Sequence, residues 1–192
     1  NLQCNDEQIR AVESALKGAD VLLLQMEIPF DVSLAAARAA MECGVRVILD
    51  PAPATEIPLT AYSDLDIVTP NQIEAEFHTG ICVTDISSAR AASETLLERG
   101  VTVAIIKMAE QGVYYASNSS SGHVQAFEVA VVDTVSAGDA FGGALGIALA
   151  EGKTLKDAVR YGAAAGALAV TRRGVQDSMP QRSEVEKLLS QS

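Results

Sequence analysis

Residues 131–152 read VVDTVSAGDAFGGALGIALAEG. Two valines open the stretch as a strand would, and small residues close it as a helix would. At the junction stand Asp133, Thr134, Ser136 and Asp139, grouped around Gly138. At such a helix start the N–H groups of Ala137, Gly138 and Asp139 are expected to lack intrahelical partners, and the helix dipole adds partial positive charge. Gly138 lets a ligand approach the backbone closely. The combination predicts an anion hole for a phosphate oxygen or a developing negative charge. A carboxylate beside such a nest repels phosphate unless it serves the reaction. Taking the proton from an attacking hydroxyl gives Asp139 that reason. A plainer alternative stands beside it, with Asp139 a first-turn helix acid and Asp133 a turn former.

The elements that must position these residues are legible upstream. NDEQIRAVESALKGAD reads as an amphipathic helix capped by Asn5 or Asp6 and closed by Gly18. DVLLLQME and VRVILD read as buried strands flanking an Ala-rich helix that ends at Gly44. PAPATEIP, with three prolines, is a loop. DIVTP is a short strand, NQIEAEFHTG a helix opened by Asn71, DISSARAASETLLERG a further helix and VTVAIIKM a strand. Strict alternation of strand and helix predicts βαβ units, hence a mainly parallel sheet with helices on both faces. GVYYASN and HVQAFEVAVV, around the SSSG turn, predict an antiparallel hairpin at one sheet edge. Two Ala/Gly-rich helices, roughly 139–150 and 154–172, and a last short helix complete an α/β chain.

Composition narrows the function classes. The chain has 192 residues, 48% hydrophobic and 20% charged, with a net charge of −11. That charge disfavours nucleic acid, which needs clustered Lys and Arg. A small phosphate ligand held by backbone N–H groups remains compatible with it. Cys4, Cys43 and Cys82 are widely spaced without a CxxC, as expected of reduced thiols in a cytoplasmic protein. His78 and His123 make no metal-ligand spacing and read as surface or loop residues. No signal peptide or membrane-spanning run is visible. The chain begins at Asn1 rather than Met, as a fragment would.

DTVSAGDAF resembles the DTxGAGDxF signature of the ribokinase-like (PfkB-type) carbohydrate kinase family. TPNQIEAE at 69–76 resembles the family's PNxxE element, DPAPA at 50–54 its NPAPA, and VTRRGVQDSMP at 170–180 its VTRxGAxxSxP. The matches fall in the family's order and cover essentially the whole chain. The resemblance implies that residues 1–192 form a single α/β kinase domain. It would be the C-terminal, nucleotide-binding part of a ribokinase-like fold, lacking the N-terminal portion with its sugar-binding motif and lid.

Site roles follow from the same resemblance. Asp139 matches the catalytic base that deprotonates the sugar's primary hydroxyl, and Ala137 and Gly138 match the anion hole. Asn71 and Glu74 match the pair near the ATP triphosphate and its Mg2+. Lys107, Met108, Ala109, Glu110, Gln111 and Gly112 match the loop that contacts ATP. Ala109 stands where the family's xLGxxG has glycine, and a positive φ there would strain it. Ala163 matches an adenine-proximal position, although packing in an Ala-rich helix is the plainer explanation. Asp133, Val135, Ala169, Arg172, Gly174 and Ser178 match a K+ site, mostly through backbone carbonyls. Glu27 matches a residue that contacts ribose, and QMEIP, DPAPA and VTRRG together favour ribose as substrate. The implied reaction gives ribose 5-phosphate, with ATP, Mg2+ and K+ as cofactors and no nucleic acid or membrane partner. A homodimer is implied for the full-length protein, and the oligomeric state of this chain is left open. Two alternatives remain: a PfkB-type kinase for another sugar or nucleoside, or a nucleotide-binding fragment without catalysis.

Overall fold

In a computed structural model, the structure describes Cys4 and residues 6–191. The six strands are β1 (Val21–Leu24), β2 (Arg46–Leu49), β3 (Ile67–Val68), β4 (Val103–Lys107), β5 (Val113–Ser117) and β6 (Ser121–Val124). They form one sheet in sequential order, with antiparallel strands at one edge. The first four run parallel, with Val21 opposite Arg46, Ile48 opposite Ile67 and Ile67 opposite Val103. The helices are α1 (Asp6–Ala15), α2 (Phe30–Glu42), α3 (Gln72–Thr79), α4 (Ile86–Glu98), α5 (Ala137–Ala150), α6 (Leu155–Ala169) and α7 (Arg182–Ser190). The chain divides into two compact units. One runs through Lys107 and includes Tyr114–Ser121; the other comprises Met108–Val113 and the residues from Gly122 onward.

The first unit is built on the parallel sheet. Val47, Ile48, Leu49, Ile67, Val68, Ala104, Ile105 and Ile106 are buried, as strands covered on both faces require. Helix starts follow local chemistry. Asn71 caps α3 and Asp85 caps α4, each in a reciprocal capping box with the residue three further on. Gly80 ends α3 in the left-handed conformation at φ 76°. The candidate cap Asn5 lies outside the described residues, and Asp6 is the first residue of α1.

The second unit is organised by α5 against α6. Leu145, Ala148, Ala158, Val159, Ala164 and Ala165 are buried between and around them. A Cβ at Gly162 would lie 3.0 Å from the Phe141 carbonyl oxygen, and one at Gly166 would lie 3.2 Å from that of Ala137. The absent side chains therefore set how closely the first turns of α5 approach α6.

Three expectations are corrected. The strand expected over HVQAFEVAVV is confined to β6, and residues 125–132 are irregular. There the amides of Val132 and Asp133 bond to the Val170 carbonyl rather than to a strand, and Val131 and Val132 are exposed. β1 is only partly buried, with Leu23 48% exposed, because it lies at the sheet's edge. His78 lies on α3 and is buried, with its Nδ1 3.1 Å from the Tyr62 hydroxyl, and His123 is part of β6.

Candidate active site

In the first unit, four predicted or newly found polar residues follow the carboxyl ends of consecutive parallel strands. Ligands bind at this edge in open α/β sheets. Glu27 lies three residues beyond β1 and is exposed. Asp50 directly follows β2, Asn71 follows β3, and Lys107 is the last residue of β4. Backbone bonds tie these ends together: Asp50 N to Leu24 O at 2.9 Å, Met26 N to Ala52 O at 2.9 Å, and Lys107 N to Pro70 O at 2.9 Å.

Asn71 and Glu74 form a closed unit. The Glu74 amide donates to Asn71 Oδ1 at 2.9 Å. Asn71 N donates to Glu74 Oε2 at 2.7 Å, and Asn71 Nδ2 to Oε1 at 2.8 Å. Glu74 is buried, and burial raises its carboxyl above the ordinary glutamate value. The Asn71 amide and the Lys107 charge pull it down, and the Asp50 charge pushes it up. Each carboxylate oxygen retains acceptor capacity beyond its bond to Asn71. A single hard oxygen donor of this kind fits Mg2+, which keeps much of its water shell and takes phosphate oxygens as further ligands.

The sequence alone assigns Asp50 no role, although it stands where the resembled NPAPA motif has Asn. Its two carboxylate oxygens accept from Lys107 Nζ at 2.9 and 2.8 Å, with side chains only 12% and 16% exposed. The partners are 57 residues apart, so only the strand order brings them together.

The second unit holds the opening motif. Asp133 Oδ1 accepts from Val135 N at 3.1 Å, tightening the turn before α5. Ser136 caps α5 at φ 63°, ψ 9°, with no side-chain capping bond. The expectation of an unpaired Ala137 amide is corrected, because it donates to Thr134 O at 3.4 Å. The Gly138 N–H has no acceptor among the described residues. Asp139 is exposed in the first turn of α5. The junction thus combines an open amide, a helix N-terminus and a carboxylate.

The nucleotide loop expected from the resemblance is a tight turn. Ala109 takes φ 51°, the positive value at which a Cβ is strained. Gly112 has φ 88°, and a Cβ there would lie 2.1 Å from Val124 O, so only glycine fits. His123 Nε2 donates to Gln111 O at 2.6 Å and secures the turn from β6. Glu110 and Gln111 are exposed, whereas Met108 is fully buried and its side chain belongs to the core. Ala163 is half-buried on α6.

Of the remaining predicted cation-site residues, Ala169 and Ser178 are buried and Gly174 takes φ 103°. The Arg172 guanidinium pairs with Glu184, leaving its carbonyl as the group the resemblance would use. Carboxylate, carbonyl and hydroxyl oxygens are the donors a hard cation takes. Among the described residues, no three His, Cys, Asp or Glu side chains are grouped to hold a metal, and no helix is long and apolar enough to cross a membrane. The three cysteines are free.

A ribokinase of Haemophilus influenzae is 36% identical over 189 residues, covering 98% of this chain and 62% of its own length. A crystal structure of a ribokinase from Thermotoga maritima matches with a TM-score of 0.82 at 40% identity, over 93% of this chain and 59% of that one. The structure of an Arabidopsis thaliana ribokinase complexed with ribose and ATP matches with a TM-score of 0.88 at 32% identity, over 98% of this chain and 60% of that one. The chain thus spans about three fifths of the length of these relatives. The model of the pfkB family carbohydrate kinases matches residues 2–182, and the chain belongs to that family.

Proposed function

We propose that this chain is part of an ATP-dependent sugar kinase, with residues 1–192 acting as one kinase domain and D-ribose as the acceptor. The observation that carries the reading is Asp139 in the first turn of α5, one residue after the open amide of Gly138. Asp139 takes the proton of the sugar's primary hydroxyl. The hydroxyl oxygen bonds to the γ-phosphorus of ATP, the bond from that phosphorus to the bridging oxygen breaks, and ADP leaves. The open amide of Gly138 faces the charge on the transferring phosphoryl oxygens, and the Ala137 amide, bonded to Thr134 O, shapes the turn that presents it. Phosphoryl transfer rests mainly on such positioning and charge stabilisation.

Asn71, Lys107, Ala109, Glu110, Gln111, Gly112 and Ala163 take the nucleotide in this reading, with Met108 contributing through its backbone. Glu74 would hold Mg2+ indirectly, and the ion would supply neutralisation of the phosphate charge. Glu27 accepts hydrogen bonds from sugar hydroxyls. Asp133, Val135, Ala169, Arg172, Gly174 and Ser178 take K+ behind the anion hole. In this reading the full-length protein works in the cytoplasm as a homodimer, and the oligomeric state of this chain is left open.

Two supports favour ribose: the QMEIP, DPAPA and VTRRG stretches, and a relative whose structure is complexed with ribose and ATP. The test is ADP release by the intact protein with ribose, 2-deoxyribose, fructose or adenosine as acceptor. Release fastest with ribose, giving ribose 5-phosphate, is expected. Faster release with another acceptor would replace the substrate, and release with none would overturn the kinase reading.

A further inference from the structure

A nearly dry ion pair is a costly way to join two strands. Desolvating both charges offsets most of their attraction, and apolar residues of similar volume usually serve stability as well. Asp50 and Lys107 form such a pair, and it sits at the carboxyl edge of the sheet rather than in the core. Lys107 bridges in parallel register to Asn71, which donates to Glu74, and Glu74 is a third buried charge on which both partners of the pair act electrostatically. Lys107 therefore has two carboxylates within electrostatic reach. In the structure it gives two N–H groups to Asp50 and forms no ion pair with Glu74. Among the described residues, Glu74 takes its side-chain hydrogen bonds from Asn71.

We propose that Asp50 is a positioning residue that holds the Lys107 ammonium off Glu74, keeping the Glu74 carboxylate available to the magnesium that accompanies ATP. The inference rests on the kinase reading, because it assigns Glu74 to that metal. Charge counting states the consequence. Asp50, Glu74 and Lys107 together carry one net negative charge. Removing the Asp50 charge leaves a neutral pair, and the freed ammonium has one buried carboxylate left to join. That contact competes with the metal and with the Asn71 bonds. Removing Lys107 as well restores a single negative charge on Glu74.

The experiment is calorimetric titration of ATP into this chain with and without Mg2+, read as the ratio of the two affinities. Any direct contact of Lys107 with nucleotide largely cancels in that ratio. Asp50→Asn is expected to reduce the Mg2+-dependent gain about tenfold, the scale of one charge-assisted contact. The double variant Asp50→Asn with Lys107→Met is expected to recover the gain to within about twofold, since its net charge equals that of the parent. A structural role alone would lower the unfolding temperature of Asp50→Asn without changing the ratio in the folded protein. An unchanged ratio in Asp50→Asn overturns the inference and leaves the kinase reading intact. If Asp50→Asn does not fold, the double variant decides, and a lost Mg2+ response there overturns the inference. A parent chain that binds no ATP at any Mg2+ concentration overturns the inference and the kinase reading together.

Discussion

Ala109 and Ser136 occupy backbone positions where glycine is the ordinary choice, at φ 51° and 63°. They are the two non-glycine residues with positive φ among the described residues, and each stands where the resembled family motif has glycine. A Cβ in the left-handed region costs about 1–2 kcal/mol, partly offset by the greater freedom glycine has when unfolded. Ala109→Gly and Ser136→Gly are each expected to stabilise the chain by roughly 0.5–1 kcal/mol, or about 1–4 °C in the unfolding midpoint. Thermal unfolding of the two variants checks this, and a lower midpoint in either would contradict the assignment of strain. The Ala109 strain was legible in the sequence as a departure at a motif glycine. Ser136 departs at a motif glycine as well, but a serine before a helix also fits a side-chain cap, and here its hydroxyl makes no such bond. Asp50 escaped for a different reason: its partner is distant in sequence, and nothing local marks a proline-flanked aspartate as one end of an ion pair.

The elements carry their own test in α3, which positions Asn71 and Glu74. Its C-terminal turn holds His78, buried against Tyr62, with Nε2 buried and without a partner among the described residues. Arg99 lies over the Tyr62 ring and donates to the His78 carbonyl. Burial lowers the His78 pKa below its ordinary value of 6.5, and the Arg99 charge lowers it further. The folded state thus holds His78 neutral where the unfolded chain protonates it. Its contribution to stability is present above 6.5 and is lost as pH falls below that value toward the lowered folded value. Burial shifts Glu74 the opposite way, so acid favours the fold through that group. Urea unfolding at several pH values, for the parent and for His78→Leu, separates the two. The parent should lose stability relative to the variant as pH drops from neutral to mildly acidic, and parallel pH dependences would contradict the account. Between α5 and α6, Gly162→Ala should cost about 1–3 kcal/mol, because the new methyl meets the Phe141 backbone carbonyl as well as the Phe141 ring. An unchanged midpoint would show that the two helices have room to spare.

Helices were easier to read than strands, for physical reasons. Capping residues, closing glycines and apolar spacing are local, and α3 and α4 begin where Asn71 and Asp85 predict. A strand needs a hydrogen-bonded neighbour that the local pattern does not name. Residues 125–132 alternate like a strand, yet the amides of Val132 and Asp133 go to Val170.

For the molecule as a whole, the central claim is that Asp139 is the base of an ATP-dependent sugar kinase. A charge of −11 does not oppose that function, because phosphate can be met by backbone amides and a few fixed charges rather than by a basic surface. The motif residues at the carboxyl edge of the sheet and at the start of α5 were legible because each sits where an element begins or ends. The most direct measurement is ribose-dependent ADP release by the intact protein and by its Asp139→Asn variant, with ATP affinity measured alongside. Loss of the base predicts a fall of about 10²–10⁴-fold in turnover with ATP affinity largely retained. Turnover unchanged in Asp139→Asn would contradict the account.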